Sequence, residues 1–273
     1  MAWHLVLQHP NLPACDLSLL TDTPAETSVL RVPSADGIGL SEAVERSLTE
    51  QNIEFAMMPD VAFADLGLVV SDMDSTLITI ECIDEIAVGV GLKEQVAEIT
   101  ELSMRGELDF EQSLRRRVAL LKGLPEQVLH DVYDNVLQLS AGAEYFLAEC
   151  KKHQVKFMLV SGGFTFFTER LKQRLGLDYA YGNELEIKDG VLTGELIGKI
   201  IDAQAKADLL EEYRVKLGLK TEQVLAMGDG ANDIPMLKTA GFGVAFHAKP
   251  KTQAAADICV HHYGLETIRH FFK

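Results

Sequence analysis

The sequence predicts an α/β protein: a doubly wound, Rossmann-like parallel-sheet core with an inserted helical cap, preceded by a small α+β unit. Three observations carry this. Short apolar runs rich in β-branched residues, at 66–70, 155–160, 224–227 and 243–246, read as buried strands of a parallel sheet, which lack the polar alternation of half-exposed ones. Helical patterns alternate with these runs, as they do when crossovers cover both faces of one sheet. The block between the first two runs, 83–150, is too long for a single crossover helix, so part of it, about 83–140, is expected as a cap.

Taken in chain order, residues 1–64 are expected to form the small N-terminal unit. A strand-like start gives way to a stretch interrupted by Pro10, Pro13, Pro24 and Pro33, then a helix over 41–51 and an extended run over 53–57 that Pro59-Asp60 breaks. No catalytic cluster stands out in it. From 65 to 273 the alternating α/β pattern takes over. Within it, residues 183–196 alternate on either side of Asp189-Gly190, a hairpin signal because that dipeptide accepts the positive φ angles of a tight turn.

At 273 residues the chain has room for about two domains and a sizeable core. Its formal net charge of −16 argues against a nucleic-acid partner, since releasing counterions from a phosphate backbone needs a basic face. A small anionic substrate stays open, given local positive charge. The N-terminus has no basic region leading into a long apolar run, and no stretch reaches membrane-spanning length, so a cytoplasmic protein with no membrane association is expected. Cys15, Cys82, Cys150 and Cys259 are spaced too widely for a zinc or redox motif and are expected as reduced, mostly buried thiols.

Parallel strands bring their carboxyl ends to one sheet edge, where such sheets bind ligands. Three polar runs would meet there: Asp72-Met73-Asp74-Ser75-Thr76, Ser161-Gly162-Gly163, and Gly228-Asp229-Gly230-Ala231-Asn232-Asp233. Asp72 and Asp74 would repel one another unless a cation or different protonation states intervene. Asp72, at the strand end, is the candidate nucleophile towards phosphorus, giving an acyl phosphate that water cleaves. Asp74 is the candidate acid for the leaving oxygen, worth about a hundred- to ten-thousandfold, and afterwards the base for water. Ser75 and Thr76 support this turn.

A carboxylate needs positive charge beside it to approach a phosphate dianion. One Mg²⁺ on Asp72, Asp229 and the backbone carbonyl of Asp74 would supply it, with Asp233 supporting the ligands from behind. Ser161 offers a hydroxyl, Gly162 and Gly163 let backbone N–H groups approach phosphate oxygens, and Lys206 is a candidate point charge on the same group. Singly these are ordinary: a solvated Asp-x-Asp turn, a strand-to-helix turn, a surface lysine, a helix N-cap region. Their succession at strand ends is what points to a site.

In residues 110–121, Arg115, Arg116 and Arg117 cannot share a helix face at about 100° per residue. Phe110, Leu114, Arg117, Val118 and Leu121 form one stripe. Arg117 is therefore a charge on the apolar side in need of an anion, unless it pairs internally or snorkels to water. Glu81, shortly after the Asp72 turn, reads either as a helix N-terminal acid or as the partner of an ammonium. Opposite Arg117 it would suit a zwitterion, which points to an amino-acid substrate.

Together these residues resemble the phosphoserine phosphatases of the haloacid dehalogenase superfamily. The resemblance runs from about residue 66 to 272, with Asp72-Met73-Asp74-Ser75-Thr76, Ser161-Gly162-Gly163, Lys206 and Gly228-Asp229-Gly230-Ala231-Asn232-Asp233 matching four motifs in order. The cap run Phe110-Glu111-Gln112-Ser113-Leu114-Arg115-Arg116-Arg117 is similar to that subfamily's. The resemblance implies an Mg²⁺-dependent hydrolase releasing serine and phosphate from O-phosphoserine, the last step of serine biosynthesis. It implies Asp72 as nucleophile, Asp74 as proton donor, and Asp72, Asp74 and Asp229 on the metal. Glu81, Arg117, Ser161, Gly162, Lys206 and Asn232 would contact substrate, and Met104 and Phe110 would close the pocket beneath a cap that opens and closes. The N-terminal unit resembles a reduced relative of the small amino-acid-binding regulatory modules some members carry.

Two other classes stay open on the sequence. A phosphotransferase would use the same Asp72 intermediate with another acceptor, and a receiver-like signalling module would keep its phosphoaspartate. The cap residues and Asp74 speak against the second. The oligomeric state is likewise open, a homodimer included.

Overall fold

The computed structural model describes residues 2–21, 24–34 and 39–273, the side chain of Met104 apart. Strand β1 (Trp3–Gln8) lies between β2 (Val29–Ser34) and β3 (Glu54–Pro59), antiparallel to both, with α1 (Glu42–Glu50) leading into β3. The period of two decides what this sheet buries. Leu5 and Leu7 pack with Leu48 and Ile53 on one face, whereas Val6, Ala56 and Met58 on the other join the main core beside Phe63 and Phe272. Strand β2 is not evident from the sequence, because Pro33 reads as a breaker. It survives as an edge strand, where a missing N–H is tolerated.

The main sheet begins at β4 (Leu68–Ser71), buried throughout. A helical segment follows: α2 (Cys82–Gly89), α3 (Lys93–Met104), α4 (Phe110–Ala119) and α5 (Gln127–Asn135). Helix α6 (Ala143–Lys152) packs on β5 (Lys156–Phe164), so it covers the sheet rather than extending that segment. Then come α7 (Thr165–Leu175), the hairpin β6 (Tyr179–Lys188) and β7 (Val191–Ile197), α8 (Ala203–Lys216), β8 (Val224–Gly228), α9 (Ile234–Thr239), β9 (Phe242–Phe246), α10 (Pro250–Gln253), β10 (Ile258–Val260) and α11 (Glu266–Phe271). The hairpin turns where expected, Asp189 and Gly190 both adopting positive φ (51° and 74°).

The seven strands run in the order β10-β9-β8-β4-β5-β6-β7, parallel except for β6 against β7. Alternate residues face opposite layers. Leu68 and Val70 pack with Leu210 and Tyr213 of α8 and Met236 and Leu237 of α9, while Val69 lies in the core that holds Phe146, Phe167 and Phe271 of α6, α7 and α11. This is the doubly wound α/β architecture expected from the sequence. Two details differ. The second strand runs on to Phe164, so Ser161-Gly162-Gly163 belong to strand β5 and not to a turn. Strand β10, three residues long, is too short to stand out as a periodic run. No helix among the described residues is long and apolar enough to cross a membrane.

Candidate active site

Ser71 is level with Leu159 on one neighbour and Met227 on the other, so β4 and β8 end side by side while β5 runs on past them to Phe164. Strands after β5 add on one side of β4 and β8 to β10 on the other, which makes the carboxyl end of β4 the topological switch point where a crevice opens.

Asp72 leaves β4 into that crevice with its side chain nearly sealed. Its Oδ1 accepts the Met73 N–H at 2.7 Å and lies 2.7 Å from Nζ of Lys206, delivered by the first turns of α8. The same Nζ sits 2.8 Å from Asp233 Oδ1, and Asp233 Oδ2 accepts the Gly230 N–H at 3.0 Å. Lys206 is 1% exposed and Asp233 fully buried, so charge here is balanced by neighbours rather than by water. Burial and the nearby Asp233 push the Asp72 carboxyl well above its ordinary value, against the pull of Lys206. Burial works against the Lys206 charge, but Asp233 and Asp72 outweigh it and raise the ammonium.

Ligand oxygens of Asp72, Asp229 and Asp233 lie within 4.8 Å of one another. Three carboxylates against one lysine leave two negative charges, the complement of one divalent cation. Hard oxygen donors suit an ion such as Mg²⁺, so the residues present fit a metal. Asp229 is pushed up to about 6 by burial and by Asp233, as a carboxyl short of positive charge should be.

Asp74 points elsewhere. Its Oδ1 accepts the Cys82 N–H at 2.9 Å and its Oδ2 the Ser161 hydroxyl at 3.3 Å, while Ser161 Oγ accepts the Gly163 N–H at 2.8 Å. Burial raises the Asp74 carboxyl, which favours a held proton. Gly163 is needed at this point, because a Cβ there would stand 2.8 Å from Asp74 Oδ2.

The turn from 73 to 77 is strained at Ser75, whose φ of 54° lies in the left-handed region that side chains disfavour. That conformation aims its hydroxyl at Glu81 Oε1, 2.7 Å away. The dense protein around Glu81, then Asp74, raises its carboxyl to about 7, with the Ser75 bond opposing, although solvent still reaches the side chain. Glu81 precedes α2; α4 starts on a capping box in which Asp109 Oδ1 takes the Gln112 N–H at 2.8 Å, a cap worth about 1 kcal/mol. That cap sets the stripe of α4. Leu114 and Val118 are buried, Arg115 and Arg116 exposed, and Arg117 half-buried with its Nε sealed and without a hydrogen-bond partner among the described residues. Burial lowers the Arg117 guanidinium, and the carboxylates of Asp84, Glu81 and Asp74 oppose that shift.

A cavity of about 480 Å³ joins these groups. Asp72, Asp74, Glu81, Phe110, Arg117, Gly162, Gly163, Asp229 and Asn232 line it, and behind this lining Ser161 is bonded to Asp74, Lys206 to Asp72, and Asp233 to Lys206. The Phe110 ring covers Gly162, where a Cβ would meet its Cζ at 2.9 Å. Thr76, in the same turn, is buried, and its hydroxyl finds no partner among the described residues. The side chain of Met104, at the end of α3, lies outside the described residues. Asp84 and Lys249, not anticipated from the sequence, also line the cavity. Asp84 follows Glu81 by three residues on α2, and Lys249 follows β9, whose carboxyl end was a readable signal.

Residues 69–238 match the family model described as haloacid dehalogenase-like hydrolase. The chain is similar to a phosphoserine phosphatase of Polaromonas sp., 47% identical over 220 residues that make up 79% of this chain and 93% of that one. Among solved structures it is similar to a probable phosphoserine phosphatase from Vibrio cholerae in unliganded form, with a TM-score of 0.84 and 38% identity over 99% of this chain and 86% of that one. It is also similar to a substrate-bound phosphoserine phosphatase complex, with a TM-score of 0.71 and 42% identity over 76% of this chain and 99% of that one.

Proposed function

The chain belongs to the haloacid dehalogenase-like hydrolase family, and on that premise we propose that it hydrolyses O-phosphoserine to serine and phosphate through a phosphoaspartate on Asp72. What supports the choice of substrate is one observation above all. Arg117 keeps a sealed Nε, unpartnered among the described residues, in the same cavity as Asp72, Asp74 and Glu81, so a carboxylate and an ammonium both have a counterpart within reach of the reacting pair.

In this reading a carboxylate oxygen of Asp72, held in orientation by the Met73 N–H and Lys206, attacks phosphorus as the P–O bond to serine breaks. Asp74 gives its proton to the departing seryl oxygen, so the alkoxide never has to leave charged. Water then attacks the acyl phosphate, Asp74 takes up a proton from it, and the bond to Asp72 breaks with release of phosphate. Asp72, Asp229 and the Asp74 carbonyl would hold Mg²⁺, with Asp233 behind them; once bound it supplies the positive charge that lets a carboxylate approach a phosphate dianion. Ser161, the Gly162 and Gly163 backbone, Lys206 and Asn232 bind the phosphate end, and Glu81 and Arg117 bind the amino-acid end.

The same reading divides the chain into an α+β unit over 1–64 and a phosphatase domain over 65–273. Its cap, about 83–140, closes over substrate with Phe110 and Met104. It places the enzyme in the cytoplasm at the last step of serine biosynthesis, with no nucleic-acid partner. Phosphate release measured on a panel of O-phosphoserine, phosphothreonine and sugar phosphates, with and without Mg²⁺, tests it. O-phosphoserine should be strongly preferred, and only with metal. A preference for a sugar phosphate, or a phosphorylated acceptor in place of free phosphate, would overturn it.

A further inference from the structure

Strand β5 carries three residues, Ser161, Gly162 and Gly163, where its neighbour β6 offers Gly182 alone, since Val160 pairs with Tyr181 and Phe164 with Asn183. The extra residues bulge towards the cavity and lose the ladder hydrogen bonds of a regular parallel pair. The Asn183 side chain takes their place. It is 1% exposed, its Nδ2 donates to the Gly162 carbonyl at 2.8 Å, and its Oδ1 accepts the Ile201 N–H at 2.8 Å. A primary amide, with one donor end and one acceptor end, imitates a peptide group at that point.

This bond bears on the reaction through a short path. Fixing the Gly162 carbonyl fixes the plane of the Gly162–Gly163 peptide, because that unit is rigid. The N–H on its far side donates to Ser161 Oγ at 2.8 Å, and Ser161 donates to Asp74 Oδ2 at 3.3 Å. The Ile201 bond ties the same bulge to the chain entering α8, which carries Lys206. Gly182 lets β6 come this close, since a Cβ there would stand 3.1 Å from the backbone of Phe164 and Thr165.

We propose that Asn183 is a positioning residue of this site, its amide holding the β5 bulge so that Ser161 and Gly163 are set against Asp74. The inference rests on the catalytic reading above. It is tested with the full chain in Mg²⁺-containing assays on O-phosphoserine, comparing N183A, the isosteric N183D, S161A and the double variant S161A/N183A.

N183A should lower kcat about ten- to a hundredfold, a loss larger than any rise in KM, as a small misplacement of reacting groups does. N183D keeps the shape and the Ile201 bond but cannot donate to Gly162 when ionised, so it should fall similarly; it carries the same test should N183A not fold. Because Asn183 acts through Ser161, the double variant should stay within about threefold of S161A. A kcat per folded enzyme unchanged in both N183A and N183D, or losses that multiply in full in the double variant, overturns the proposal. An inactive wild type would sink the catalytic reading and this one with it, whereas an active wild type beside unmoved Asn183 variants sinks this one alone.

Discussion

Lys206 places its Nζ 2.7 Å from Asp72 Oδ1 in a space sealed from solvent, where it also neutralises Asp233. Lys206→Met would leave both carboxylates buried without that counter-charge. Removing one partner of a buried pair costs about 3–5 kcal/mol, or roughly 6–20 °C in unfolding midpoint for a chain of this size. Calorimetry on the variant checks it. A midpoint equal to wild type would mean that solvent or rearrangement replaces the lysine.

Arg117→Ala should act on the amino-acid end of the substrate. Losing a charge-paired contact of this kind is worth about 2–5 kcal/mol, so KM for O-phosphoserine should rise by roughly thirtyfold or more. A simple alkyl phosphate without a carboxylate should lose little. Steady-state kinetics on both substrates decide the matter, and equal losses would remove Arg117 from carboxylate recognition.

Substrate affinity should weaken in acid. Glu81 is raised to about 7, so in the free protein it is ionised above that pH and protonated below it. Only the ionised form attracts an ammonium, hence KM should climb as pH falls through 7. The substrate phosphate also titrates near pH 6, so Glu81→Gln is the control. Its KM should be high and nearly flat across pH 6.5–8. The folded protein keeps the Glu81 proton to about pH 7 while the unfolded chain releases it near 4.5, so this group makes the fold less stable as pH rises through that window. A wild-type KM that does not change between pH 6.5 and 8 contradicts the assignment.

Metal should stabilise the folded chain. A cation present at a hundred times its dissociation constant adds about 2.7 kcal/mol, visible as an upward shift of the unfolding midpoint. Asp229, raised to about 6, holds a proton below that pH and competes with the ion, so the shift should fade between pH 7 and 5. Asp229→Asn should abolish it. A midpoint indifferent to millimolar Mg²⁺ at pH 7.5 would speak against the three-carboxylate site.

Much of the site was legible because buried parallel strands are continuous apolar runs that stop abruptly, and Asp72, Ser161 and Asp229 follow the ends of such runs, although β5 itself continues through Ser161 to Phe164. Arg117 was legible from helical periodicity, since a charge among Phe110, Leu114 and Val118 breaks the stripe. What stayed hidden depends on register between distant segments. The Lys206 bridge joins residues 27 apart in sequence from Asp233, and nothing local marks either as a partner. Asn183 reads as an ordinary hairpin residue until the β5 bulge is seen opposite it. Thr76, expected to support the turn, is buried and does not itself line the cavity.

The central claim is that phosphorus passes onto Asp72. A single turnover with excess enzyme and labelled O-phosphoserine, quenched in acid and reduced with borohydride, converts an aspartyl phosphate into homoserine at the attacked position. Peptide mass spectrometry should place that conversion at residue 72 and lose it in Asp72→Asn. Release of phosphate with no labelled protein at any time, or conversion at another carboxylate, would contradict the account.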